Sequence, residues 1–180
     1  FRVPDRVLET TGPRIMELNA AAFDDLGGLQ CAFKFDADRL QFDSLEILPA
    51  LPLNPGNFGL FKVDKGEIRL AWTSAGPGYN LPEGAALFRL HFNVVQAGGL
   101  LRNYVQLADS ILSGEAYTTT FEQGPVELEF YTPTGTGLPG EQPGLALYQN
   151  RPNPFSDATT IDFFLPAACA AQIRIRDLSG

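Results

Sequence analysis

The sequence predicts an all-β sandwich. Three observations lead there: strict alternation of apolar and polar residues, Gly- and Pro-rich turns between the alternating runs, and almost no 3.6-residue period from about residue 5 to 131. LQCAFKFD sets Cys31, Phe33 and Phe35 on one face and Ala32, Lys34 and Asp36 on the other. GEIRLAW opposes Ile68, Leu70 and Trp72 to Glu67, Arg69 and Ala71. LFRLHFNV opposes Phe88, Leu90, Phe92 and Val94 to Arg89, His91 and Asn93, and VELEFY turns Val126, Leu128 and Phe130 inward. Successive side chains of a strand point to opposite faces, so this pattern is one-sided burial in packed antiparallel sheets. The expected core is Phe33, Phe35, Ile68, Leu70, Trp72, Leu90, Phe92, Val94, Val126 and Leu128.

Between these runs stand Gly27-Gly28, Asn54-Pro55-Gly56, Asp64-Lys65-Gly66, Gly76-Pro77-Gly78 and Gly98-Gly99. Each supplies the positive or fixed φ of a reversing chain. FKVDKGEIRL reads as a tight hairpin with Lys65-Gly66 at its tip. Helical turns are expected, if anywhere, in MELNAAAFDDL or YVQLADSIL.

Composition divides the chain. Residues 1–131 carry the alternation; residues 132–146, TPTGTGLPGEQPGLA, are Pro, Gly, Thr and small polar residues, the composition of a linker. Residues 147–180 return to alternation but hold only about two short strands, too few for an independent sheet. The chain opens FRVPD, which reads as a mature or trimmed fragment whose export signal has been removed.

The charge narrows the partners. Thirteen Lys+Arg against 21 Asp+Glu give a formal net charge of −8, a surface that repels phosphate backbones and anionic lipids. Nucleic acid and membrane insertion are therefore not expected. Cys31 and Cys169 are read as unpaired thiols, since a bridge between such distant positions must meet strict geometry.

Two segments resemble known families. GLQCAFKFDADRLQF, then GEIRLAWTS, then LPEGAALFRLHFNV resemble, in order and spacing, the strands of a cohesin domain over about residues 5–131. That resemblance implies a flattened jelly-roll sandwich of about nine strands and non-catalytic recognition of a dockerin-type protein on one polar sheet face. The face is expected to combine CAFKFD, GLFKV, EIRLAW and LFRLHFNV, with Lys34, Asp36, Arg69, Arg89, His91 and Asn93 outward. LYQNRPNPFSDATTIDFFLP resembles the start of the C-terminal sorting domain read by the type IX secretion system. Asn150, Pro152, Asn153, Pro154 and Phe155 form its centre, and AQIRIRDLSG resembles the following strand. This implies a secreted or cell-surface protein exported across the outer membrane, with the sorting domain truncated at Gly180.

No enzyme is expected. His91 is the chain's one histidine and alternates onto a polar face, and neither a phosphate loop nor a nucleophile elbow occurs. No cofactor is expected. Asp36, Asp38 and Asp43 have a spacing reminiscent of hard-cation loops, making calcium an alternative to turn formation, but the glycine and distal glutamate of an EF-hand loop are missing. Trp72 shares parity with core residues, which leaves Tyr79 as the better exposed aromatic for a carbohydrate-binding reading. A third reading is a structural subunit of a surface layer or filament, self-associating by strand addition through residues 147–180.

Overall fold

The computed structural model describes residues 1–131, together with 146–147, 159 and 163–164. Its contacts divide the chain into two units, Phe1–Pro133 and Thr134–Gly180.

The first unit contains β1 (Arg2–Pro4), β2 (Gly12–Asn19), β3 (Phe23–Phe35), β4 (Leu40–Ile47), β5 (Phe58–Lys62), β6 (Glu67–Thr73), β7 (Tyr79–Leu81), β8 (Ala86–Val94), β9 (Val105–Leu107), β10 (Glu115–Thr118), β11 (Gln123–Pro125) and β12 (Glu129–Tyr131). One sheet has the order β12-β1-β2-β8-β4. The other has the order β11-β10-β3-β6-β5, with β7 and β9 also paired to β3. Pairing is antiparallel except between β1 and β12, where the first and last strands run side by side from Arg2↔Glu129 to Pro4↔Tyr131. Among its described residues the unit has twelve strands against the about nine that the resemblance implied, and five of them, β1, β7, β9, β11 and β12, are only three residues long. The helical turns in the described unit are short 3-10 segments at Pro55–Asn57, Val63–Lys65 and Leu101–Asn103.

Alternation places the core correctly. Phe33, Ile68, Leu70, Leu90 and Val94 are fully buried, and Phe35, Trp72, Phe92 and Val126 nearly so. Leu128 is half-buried against the same cluster. Aromatic rings tie the two sheets together: Phe33 of β3 lies 6.2 Å edge-on to Phe88 of β8, and Phe35 lies 5.1 Å from Phe92. Cys31 is a buried free thiol, and burial pushes its pKa up to about 12. Cys169 lies outside the described residues.

The β5–β6 hairpin forms as the sequence predicts. Gly66 closes it at φ +71°, and a Cβ there would meet the Phe35 carbonyl oxygen at 2.0 Å. Gly27-Gly28 differs from expectation: the pair lies inside β3 and makes no turn. Its cause is close approach, because a Cβ on Gly27 would stand 2.9 Å from the backbone of Thr118 and Thr119.

In the second unit, β13 (Ala146–Leu147) pairs antiparallel with β14 (Phe163–Phe164), in the register Ala146↔Phe164 and Leu147↔Phe163. Asn150, Pro152, Asn153, Pro154 and Phe155 lie outside the described residues, as does all but Ala146 of the expected linker.

Candidate docking face

The six residues expected to share one face are divided between two sheets. Lys34 and Arg69 lie on the β11-β10-β3-β6-β5 sheet, whereas Arg89, His91 and Asn93 lie on β8, in the other sheet. The two groups thus point outward from opposite sides of the sandwich. Asp36 belongs to neither face. It stands in the turn after β3, where its Oδ1 accepts from the Asp38 amide at 3.0 Å and Arg39 approaches its Oδ2 at 3.8 Å.

The β8 side is internally satisfied. Arg89 Nε donates to Glu17 Oε2 of β2 at 2.7 Å, and its Nη1 donates to Glu46 Oε1 of β4 at 3.2 Å. His91 Nε2 lies 3.3 Å from the same Glu46 carboxylate. The hydrogen bonds from Arg89 hold the Glu46 carboxyl below the usual carboxylate range, and Glu17 chiefly raises the pKa of Arg89. Ser44 is the cross-strand neighbour of His91, but its hydroxyl donates to Asp43 Oδ2 at 2.8 Å, so serine, histidine and carboxylate do not form a relay. Asp43 sits at the β4 bulge, away from the turn that holds Asp36 and Asp38, and the described residues contain no group of three potential metal ligands.

The opposite sheet presents an open surface. Register aligns Tyr117, Gly28 and Thr73 in one row across β10, β3 and β6, and Glu115, Gln30 and Ala71 in the next on the same side. Gln30 Nε2 donates to Glu115 Oε2 at 3.1 Å, and the Tyr117 hydroxyl donates to the same oxygen. That bond raises the Tyr117 pKa. Gly28 carries no side chain and nothing crowds its Cβ position more closely than 3.7 Å, so the sheet surface dips there. A cleft of about 380 Å³ opens over it, lined by Gly28, Thr73, Ser74, Tyr117 and Phe121. It adjoins a second of about 290 Å³, bounded by Gln30, Asn57 and Ala71. Asn57 is fixed there by its Nδ2 bond to the Ala71 carbonyl at 3.0 Å.

Two exposed phenylalanines flank this surface. Phe121, 86% exposed at the tip of the β10–β11 hairpin, adopts φ +65°, a strained conformation for a bulky residue. The hairpin tip is braced by Asp25, itself at φ +53°, whose Oδ2 accepts from Thr119 Oγ1 at 2.6 Å and from the Thr119 amide at 3.2 Å. Phe61 on β5 is 70% exposed, with the Arg69 guanidinium 5.5 Å from its ring centre. Alternation missed both, since an apolar residue in a hairpin tip or an edge strand carries no sign of exposure. Trp72 is buried, as expected. Tyr79 packs edge-on against it at 5.6 Å and is partly exposed.

No protein-family model and no curated protein sequence matches the chain. Solved structures do. The sixth cohesin of scaffoldin B from Acetivibrio cellulolyticus, solved in complex with a mutant Cel5 dockerin, superposes with a TM-score of 0.53 at 17% identity, covering 72% of this chain and 94% of that one. CaCohA2 of Clostridium acetobutylicum, solved in complex with CaDoc0917, gives a TM-score of 0.51 at 11% identity, covering 71% and 92%. At these identities the likeness concerns the fold, and residues 1–131 of this chain accordingly build a cohesin-like β-sandwich.

Proposed function

We propose that the chain is a non-catalytic protein–protein interaction module whose partner is dockerin-like, and that it docks through the outward side of the β10-β3-β6-β5 sheet. The observation that carries this reading is the open cleft over Gly28 between two exposed phenylalanines, Phe61 and Phe121. Exposed aromatics beside a depression are what interface anchors look like, whereas scattered polar residues are not. The fold likeness supports it, because both solved relatives carry their partners in the crystal. Lys34 and Arg69 stay within the proposed interface; Arg89, His91 and Asn93 leave it, because Arg89 and His91 are engaged with Glu17 and Glu46 on the opposite side. A secreted or cell-surface location is part of the same proposal and rests on the sorting-domain resemblance of residues 147–180. No described helix is long and apolar enough to cross a membrane.

The test is affinity capture from the secreted fraction of the source organism with two variants. Ala71→Arg with Thr73→Arg places bulk on the proposed face at two exposed positions, and Ser44→Arg does the same on the opposite face. Capture of a defined protein should be lost only in the first. Loss only in Ser44→Arg would move the site to the β8 side.

A further inference from the structure

We infer that the corner of this face where β5 meets the ends of β3 and β6 receives an acidic segment of the partner protein. The inference rests on the docking-face reading and adds the partner's chemistry. The chain has three lysines, Lys34, Lys62 and Lys65, and all three stand at this corner. Lys34 on β3 and Lys62 on β5 both face Glu67 in register, one on each side of β6. Lys65 lies in the turn leading into β6, where its carbonyl accepts from Lys34 Nζ.

None of the three ammonium groups has a carboxylate within 4.0 Å among the described residues. The nearest candidate in register, Glu67, is nearly buried and taken by Arg69 at 2.6 Å. Arg2, Arg39, Arg69, Arg89 and Arg102 each pair with a carboxylate of this chain, while Arg14 is bonded to the Thr10 hydroxyl and the Pro13 carbonyl. With Arg69, the three lysines outnumber Glu67 and the Asp64 of the same turn by four to two, so the corner is a positive patch on a molecule whose net charge is −8. Such a local reversal of sign attracts and orients an oppositely charged group.

Phe61 decides what kind of anion fits. Its exposed ring has the Lys62 ammonium 5.9 Å and the Arg69 guanidinium 5.5 Å from its centre, offering an apolar seat beside the positive charges. A segment with carboxylates beside an aliphatic or aromatic side chain satisfies both. An extended polyanion would run past the corner onto the surrounding acidic surface and be repelled there. Gly28 and Lys34 are six residues apart on β3, about 20 Å at strand rise, so cleft and corner fall within one interface.

The experiment is an NMR titration of the isotope-labelled 180-residue chain. The probes are a blocked peptide of alternating glutamate and leucine, its glutamine counterpart and a short oligothymidylate. The acidic peptide should shift the amides of Lys34, Phe61, Lys62 and Lys65, and rising salt should suppress the effect. Lys62→Glu with Lys65→Glu should weaken binding on the order of tenfold or more while leaving the rest of the spectrum in place. Equal binding of the glutamine peptide, shifts confined to other residues, or equal or tighter binding of oligothymidylate at the corner would overturn the inference. In the capture experiment, the lysine double variant retaining the partner that Ala71→Arg with Thr73→Arg loses removes the acidic segment and leaves the docking face standing. If neither variant loses it, both fall.

Discussion

Arg89 of β8 donates from Nε to Glu17 of β2 at 2.7 Å, and both side chains are largely buried although they point away from the hydrophobic core. Alternation alone makes Arg89 a free surface charge whose reversal, with that of Arg69, removes partner binding without touching stability. The pairing says otherwise. Arg89→Glu sets a carboxylate against the buried Glu17 and is expected to destabilise by about 1–3 kcal/mol. Arg89→Glu and Ser44→Arg should both keep partner capture in whatever fraction stays folded, and urea unfolding measures the first effect.

Glu46 gives the same cluster a pH dependence. Arg89 lowers its carboxyl pKa in the folded protein relative to the unfolded chain. Stability from this interaction is therefore complete above the unfolded value and is lost as pH falls through the lower, folded one. The melting-temperature gap between the native protein and Glu46→Gln should be full near neutrality and narrow only as pH falls below the usual glutamate value of about 4.3. A gap that widens in acid contradicts the assignment.

Phe121 should show stability and binding in opposition. Glycine adopts φ +65° freely, and the ring it removes is 86% exposed, so little burial is lost. Phe121→Gly is expected to leave stability unchanged or raise it by up to about 1 kcal/mol, after the greater freedom of glycine in the unfolded chain is counted. Partner affinity should fall in the same variant. Calorimetric unfolding and a binding isotherm on one preparation decide both halves.

Gly66→Ala is the corresponding test of the hairpin. A Cβ at φ +71° would meet the Phe35 carbonyl oxygen at 2.0 Å, which is backbone that cannot step aside. The expected cost is at least about 1–3 kcal/mol, read as a lower denaturation midpoint. Unchanged stability would mean the tip of the β5–β6 hairpin is not held against the end of β3.

These comparisons locate what alternation can and cannot convey. Phe33, Ile68, Leu70 and Leu90 were legible as core because period-2 parity is a local property of each strand. Which sheet a strand joins is not local. β6 and β8 alternate alike, yet β6 pairs with β3 and β8 pairs with β2 and β4, and that long-range choice separates Arg69 from Arg89. Gly27-Gly28 resembles a turn because glycine signals both reversal and close approach, and only the neighbouring Thr118 backbone tells them apart. Asp25 and Phe121 hold positive φ without glycine, leaving no compositional trace. Lysine clustering was present in the sequence as Lys62 and Lys65, but Lys34 joins them only through the pairing of β3 with β6.

The most direct measurement is hydrogen–deuterium exchange of the chain with and without its captured partner. The account predicts new protection in β3 around Gly28–Lys34, in β6 and in β5, together with the Phe121 hairpin tip, while β2, β4 and the Arg89–Asn93 segment of β8 exchange as in the free protein. Protection concentrated on β2, β4 and β8, with the Gly28 cleft and Phe61 unchanged, would contradict it.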